Sequence, residues 1–345
     1  MLQLQNDTPF KAQLAVFPDE RGIDCAYVTV KGTFTLDRRP VPAEKQEPVL
    51  LKDEYWKEPT DSSVRWAGEV HLSKPGTDVV LNGNARTPDG RKAPQLDVTL
   101  SVGSRTKTVR VFGDRVWKPG LVGMVAMSTP EPFAQMPLVY ERAFGGMHAV
   151  GDKEGTVLYE PRNPVGRGFV GKRSGKDLKD LPLPNLEDPA DLIRGVKDTP
   201  TPAGFGFIAA SWEPRRSYSG TYDEAWTKSR SPYLPKDFDP RFLHAAHPDL
   251  VFERYLAGGE RIEVTNVSTE GPLRFELPRL ELATTVRLKG QDLKPALNLE
   301  TVLIEPDEKR LTLVWRAAVP CDKSALKLER VTIAQAAAAM AGGRG

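Results

Sequence analysis

Cysteine and histidine are scarce in this chain, and several chemistries fall away with them. Two cysteines, Cys25 and Cys321, stand near opposite ends of 345 residues; that is neither a disulfide framework nor a thiolate cluster, and it reads as two buried reduced thiols. Of four histidines, only His244 and His247 are neighbours. With Asp237, Asp239 and Asp249 they lie in D-F-D-P-R-F-L-H-A-A-H-P-D, but this His spacing without an intervening Glu is not the zincin helix pattern. The plainer reading is that Asp239 caps a short helix and the histidines form ordinary hydrogen bonds at its end. No metal or cofactor is expected. Charge of one sign is also missing, since 48 Lys and Arg face 46 Asp and Glu for a net +2. The Arg pairs at 38/39 and 215/216 are too short to set up a phosphate-binding field, so nucleic acid is not an expected partner. No run approaches the ~20 apolar residues of a membrane span. The opening MLQLQNDTPFKAQLAVF lacks the basic start, apolar run and small-residue site of a secretory signal, which predicts a soluble cytoplasmic protein. There is no G-x-S-x-G elbow. GFGFIAA at 204–210 follows Thr-Pro-Ala instead of a buried strand and carries Ala209 in place of the third glycine of a dinucleotide loop.

What the chain has is β-type alternation at both ends and proline and glycine in the middle. Its length is ample for a sizeable core and for about two domains. In CAYVTVKGTFTL, Ala26, Val28, Val30, Phe34 and Leu36 share one parity, which predicts a strand pair or one long strand bent at Gly32. LDVTLSVGSRTKTVRVFGDRVW predicts a hairpin turning at Gly103–Ser104, with Val98, Leu100 and Val102 before it and Val109 and Val111 after it. VVLNGNAR is a further strand, closed by a turn at 88–90. Residues 1–117 are therefore expected to form an antiparallel β unit, and residues 256–333 a second. In the second, a hairpin tip falls at 306–309, and Leu311, Leu313 and Trp315 face a core while Thr312, Val314 and Arg316 face the other way. The likeness of the two patterns hints at an internal duplication, without residue-level identity to support it. Between them, residues 118–255 are too rich in proline and glycine for long elements, and short helices are predicted over Asp188–Val196 and Pro240–Ala246. The Ala/Gly tail, 334–345, is expected to fray. The predicted fold class is mainly β: two sandwich-like antiparallel units flanking a Pro/Gly-rich loop region with a few short helices.

Within the middle region, the stretch from Pro200 to Phe242 carries Trp212, Tyr218, Tyr222, Trp226 and Tyr233 in polar, irregular backbone. Large aromatics with polar tips mark an ordered loop, not a linker, and a long ordered loop usually has a function. It contains no nucleophile beside a base, so its composition points to binding and the chain is not expected to be an enzyme. The candidate partner-binding residues are Trp212, Arg215, Arg216, Tyr218, Tyr222 and Trp226, because Trp, Tyr and Arg supply most interface hot spots. For Trp212 and Trp226, locking the loop onto the sheets is an equally good explanation. Glu213, Asp223, Glu224, Asp237 and Asp239 near these aromatics leave open a carbohydrate-binding or carbohydrate-cleaving β protein. The competing reading is that they cap turns and pair with Arg215, Arg216 and Arg241.

A series of segments carries a family resemblance: N-D-T-P-F at 6–10, V-T-V-K-G-T-F at 28–34, E-R-A-F-G-G at 141–146, N-P-V-G-R-G-F at 163–169, L-P-N-L-E at 183–187, P-A-G-F-G at 202–206, S-G-T-Y-D-E-A-W at 219–226, L-P-K-D-F-D-P-R-F at 234–242 and A-G-G-E at 257–260. In this order, from about residue 6 to 290, the chain resembles the domain of unknown function found in bacterial type VI secretion clusters, whose members serve as effector adaptors or chaperones. The resemblance implies a cytoplasmic protein that binds the N-terminal region of a cognate toxin effector, keeps it stable and helps mount it on the VgrG spike, often with a PAAR tip. It implies no catalysis. A structural component of the secretion machine is a further alternative, and it predicts a stable homo-oligomer.

Overall fold

The structure is a computed structural model that describes residues 3–119, 125–150 and 155–335. It is mainly β, with several antiparallel sheets and, among the described residues, no closed barrel. The largest sheet has six strands in the order Val251–Phe252, Thr77–Leu81, Asn298–Glu305, Arg310–Pro320, Asp24–Thr35 and Lys11–Pro18. A five-stranded sheet orders Leu186–Glu187, Arg105–Phe112, Gln95–Val102, Arg261–Val264 and Leu273–Glu276, and a four-stranded sheet orders Gln3–Asn6, Leu328–Gln335, Leu282–Leu288 and Gln291–Leu293. Apolar side chains of all three sheets, among them Val30, Leu313, Leu100, Ile262, Val286 and Ile333, belong to one continuous core.

The expected hairpins form. Val102 pairs with Arg105 across Gly103–Ser104, where Gly103 takes φ 57°, a left-handed turn conformation that glycine adopts without penalty. Glu305 pairs with Arg310 across the 306–309 tip. Asp24–Thr35 is one long strand; at Gly32 a Cβ would lie 2.8 Å from Phe34 and 3.0 Å from Phe10, so glycine leaves room for that aromatic pair.

The stretches 1–117 and 256–333 do not form separate units, because each large sheet draws on both. Asp24–Thr35 pairs along its length with Arg310–Pro320, Gln95–Val102 pairs with Arg261–Val264, and Gln3–Asn6 lies parallel to Leu328–Gln335. The boundaries at 117 and 256 thus divide the sequence by composition and not the fold. The middle region adds short strands and a second small core of Trp117, Phe144, Leu178, Leu183 and Ile193.

Helix expectations fared less well. No helix forms over 188–196. The Asp188 side chain instead accepts from Ala190 N at 2.8 Å and its carbonyl from Asp191 N at 2.9 Å, closing a tight turn with Pro189 at its second position. Over 240–246 only a 3-10 turn, Pro240–Leu243, is present, capped by Asp239 through Arg241 N at 2.9 Å. The single α-helix of the described residues, Glu224–Ser229, was not anticipated; Asp223 caps it by accepting from Trp226 N at 2.7 Å. Most of the Ala/Gly tail, from residue 336, lies outside the described residues.

Candidate functional site

Alternation along the central strands sends two sets of side chains to opposite faces of the six-stranded sheet. Val28, Val30, Phe34, Leu311, Leu313 and Trp315 enter the apolar core as expected. Thr29, Lys31, Thr33, Thr312, Val314 and Arg316, on the other face, are buried as well. They are roofed by the segment 42–74, which the sheet holds through polar contacts. Gln46 accepts from Thr33 N and donates to Thr33 O, both at 2.8 Å, in place of a neighbouring strand.

Beneath this roof the charges answer one another. Arg316 donates to Glu300 at 2.8 Å, to Thr29 Oγ1 at 2.7 Å and to the Glu69 carbonyl at 2.7 Å. Lys31 pairs with Glu69 at 2.8 Å, and Lys74 with Asp78 at 2.6 Å. Asp78 also meets His244 Nδ1 at 2.6 Å and accepts from Ala245 N at 2.8 Å. Burial works to raise the Asp78 carboxyl, but Lys74 and His244 overcome it and hold it below the usual carboxylate range. Burial, helped by Arg316 and Lys74, keeps His71 well below the usual histidine value and therefore neutral. A crevice of about 240 Å³ remains, lined by Lys31, Glu69, His71, Lys74 and Arg310 among others. Its cations are all engaged by carboxylates, so it reads as a structural network that fastens the roof.

The second cavity is a groove of about 340 Å³ formed by Pro75 and by the 208–218 and 241–253 segments. Ile208, Pro214, Ala246, Pro248 and Val251 make apolar walls, while Arg215, Tyr218 and Arg241 bring polar ends. The loop that forms one wall is tied down tightly. Phe205, Phe207, Ile208 and Trp212 are core residues, and Ile208 N donates to Ala245 O at 2.7 Å. Gly204 lets the backbone cross the Tyr140 ring, where a Cβ would come within 2.8 Å. The Tyr218 carbonyl accepts from Asp239 N at 3.0 Å, which joins the 3-10 turn Arg215–Tyr218 to the Pro240–Leu243 turn.

The six candidate residues separate into four settings. Arg215 and Tyr218 line the groove. Trp212 is only 5% exposed and meets Tyr140 edge-on at 5.9 Å, so it anchors the loop to the core. Arg216 is exposed outside the groove lining. Tyr222, 53% exposed, packs edge-on against Trp226 at 4.8 Å, and the Trp226 indole N–H donates to Tyr233 O at 2.8 Å. This helical module rests on the turn before Asp24–Thr35: Arg230 donates to Glu20 O at 2.7 Å, and the Tyr233 ring covers Gly22.

The carboxylates of the central loop serve its backbone, except Glu224, which pairs with Lys228 at 2.6 Å. Glu213 accepts from Ser217 N, Asp223 caps the helix, Asp237 accepts from Thr221 N and its hydroxyl, and Asp239 pairs with Arg241 at 2.5 Å. Neither Arg215 nor Arg216 has a carboxylate partner among the described residues. His247, between Lys107 at 3.4 Å and Asp249 at 3.4 Å, is pushed down to about 4 by burial and then by Lys107. Among the described residues no group of three or more His, Cys, Asp and Glu could hold a metal ion. Among them, too, no helix is long and apolar enough to cross a membrane.

Sequence reasoning missed Ile208, Arg241, Ala246, Pro248 and Val251 as groove residues. Apart from the aromatic and arginine content near 215, nothing local marks them, because three separate segments build the groove. No curated protein and no solved structure matches the chain. The family described as an uncharacterized protein conserved in bacteria (DUF2169) matches residues 21–316, most of the chain, and the protein belongs to that family.

Proposed function

We propose that this protein is a type VI secretion effector adaptor: it holds a segment of a cognate toxin effector in the cytoplasm, keeps it stable, and brings it to the VgrG spike and its PAAR tip without catalysing a reaction. The observation that carries this reading is the groove at Arg215 and Tyr218. A client segment needs a concave apolar surface with a few fixed polar groups, on backbone that does not have to be ordered when the client arrives. Here the core residues Phe205, Phe207 and Trp212 hold that backbone in place beforehand. The motif series read from the sequence supports the same assignment. Two of its segments, E-R-A-F-G-G and N-P-V-G-R-G-F, run side by side, with Phe144–Gly145 paired to Arg167–Gly168 and a Gly145 Cβ excluded by Asn163 O at 2.1 Å. They shape backbone, and their Glu141 carboxylate is held by Ser63, through its N at 2.9 Å and its hydroxyl at 2.7 Å.

A second contact mode is offered by the strand Lys11–Pro18. It ends the six-stranded sheet, so its outer edge can accept an extended client segment as a further strand.

The test is co-purification of the tagged chain from cells carrying its neighbouring genes, with mass spectrometry of what stays bound in moderate salt. One large partner, less abundant when this chain is deleted, is the expected result. A chain that emerges without a partner overturns the proposal and directs attention to a sugar panel read by thermal shift.

A further inference from the structure

The buried cations Lys31, Lys74, Arg115 and Arg316 each face a carboxylate. Arg215 does not. Its Nε donates to Phe242 O at 3.0 Å and its Nη1 to Ile208 O at 2.5 Å, both neutral carbonyls, while Nη2 makes no hydrogen bond among the described residues. The two acids whose fields reach it, Asp53 and Asp78, are held elsewhere: Asp53 accepts from Gly68 N at 2.7 Å, and Asp78 is taken by Lys74 and His244. Burial lowers the guanidinium from the usual arginine value, although an arginine stays charged at neutral pH. The fold thus keeps a half-buried cation in the wall of an apolar groove with one edge uncommitted. Carbonyl dipoles offset part of its lost hydration; a carboxylate against the free edge would offset more, through charge-assisted hydrogen bonds.

We propose that the groove recognises a single acidic side chain, Asp or Glu, set within an extended apolar segment of a client, its carboxylate on the Nη2 side of Arg215 and its apolar neighbours against Pro214, Pro248 and Val251. This rests on the adaptor reading of the same groove. The space of about 340 Å³ exceeds one carboxylate side chain, so apolar residues on both sides of the acid are needed to fill it. Arg241, stacked over the Tyr218 ring at 4.4 Å, adds positive field, but Asp239 already occupies it. The exposed Glu253, also in the lining, repels a second carboxylate and selects one acid over an acidic run.

Two measurements separate this inference from the adaptor reading. In the first, acetyl-Leu-Glu-Leu-amide and acetyl-Leu-Gln-Leu-amide are titrated into the purified full chain and followed by the NMR signal of the Arg215 Nε–H. The acid is expected to bind at least about tenfold more tightly, with the Arg215 signal moving, and Arg215→Gln is expected to remove the difference. Equal affinities, or binding of neither peptide, overturn the inference, and that comparison needs no variant to fold. If acetyl-Leu-Leu with a free C-terminus binds as well as the internal acid, the assignment to a side chain is overturned. In the second, the co-purified client is challenged with the folded Arg215→Gln chain. Retention equal to wild type overturns the carboxylate contact while the adaptor reading stands. Discrimination between the tripeptides without any cellular client upholds the groove's preference and removes the adaptor reading.

Discussion

On one side of the six-stranded sheet, Val28, Val30, Leu311 and Leu313 meet other hydrocarbon; on the other, Lys31 and Arg316 meet the Glu69 carboxylate and carbonyl of the 42–74 roof, and Arg316 also Glu300 and the Thr29 hydroxyl. Both sides exclude water, by different physics. The apolar side gains from area removed from water and tolerates small shifts in packing. The roofed side gains only if every charge finds its partner, because an ion left alone in the interior costs several kcal/mol. The two sides should therefore fail in different ways when altered.

The sharpest test is Arg316→Met, which strands Glu300 next to its lost partner. We expect it to cost about 3–5 kcal/mol in urea unfolding, and adding Glu300→Leu to recover most of that loss. A cost under about 1 kcal/mol would mean that water reaches the pair, and the contrast between the faces would collapse. Leu313→Ala on the apolar face should cost about 2–5 kcal/mol, with no second-site change at 300 repairing it.

Acid should act mainly on the polar regions. His71 and His247 have folded-state values below the ordinary 6.5, His247 at about 4, so both are neutral when folded and bind a proton more readily when unfolded. The stability they permit is complete above pH 6.5 and is lost as the pH falls toward 4, at up to about 1.4 kcal/mol per pH unit for each group. Thermal melts at pH 7, 6, 5 and 4 should show this fall, and His247→Gln should flatten it; an unchanged slope in that variant would count against a neutral buried His247. A smaller effect is expected for Trp66→Phe, which removes the 2.8 Å indole bond to Glu305 but leaves Arg310 on that carboxylate. About 1 kcal/mol in chemical denaturation is the expected loss. Arg216→Ala and Tyr222→Ala, exposed and outside the groove lining, should stay within about 0.5 kcal/mol of wild type and should leave client retention intact. Weakened retention would move the binding surface onto the helical module.

Much of the β content was legible in the chain. Parity at Leu311, Leu313 and Trp315 gave their face, and Gly103–Ser104 gave a turn, because strand alternation and turn chemistry act between near neighbours. The same parity could only say that Arg316 faces the other way. Its burial depends on Glu69 and Glu300, supplied by a roof far off in sequence and by an adjoining strand. The aromatic loop was recognised as ordered, but Trp212 and Arg215, three residues apart, ended as a core anchor and a groove wall. Irregular backbone has no fixed period from which a side chain's direction can be read.

The sequence alone determined that this chain is built from strands, where several hairpins turn, and that its central segment is ordered by its aromatics. Tertiary structure decided which strands meet, interleaving the first and last thirds in shared sheets, because a backbone ladder can join any two strands whose faces agree. It also decided which cations met a carboxylate. Lys31 acquired a carboxylate from a distant segment and Arg316 one from an adjoining strand, whereas Arg215 came to rest between two carbonyls, and only the positions of all the neighbouring charges together could settle that.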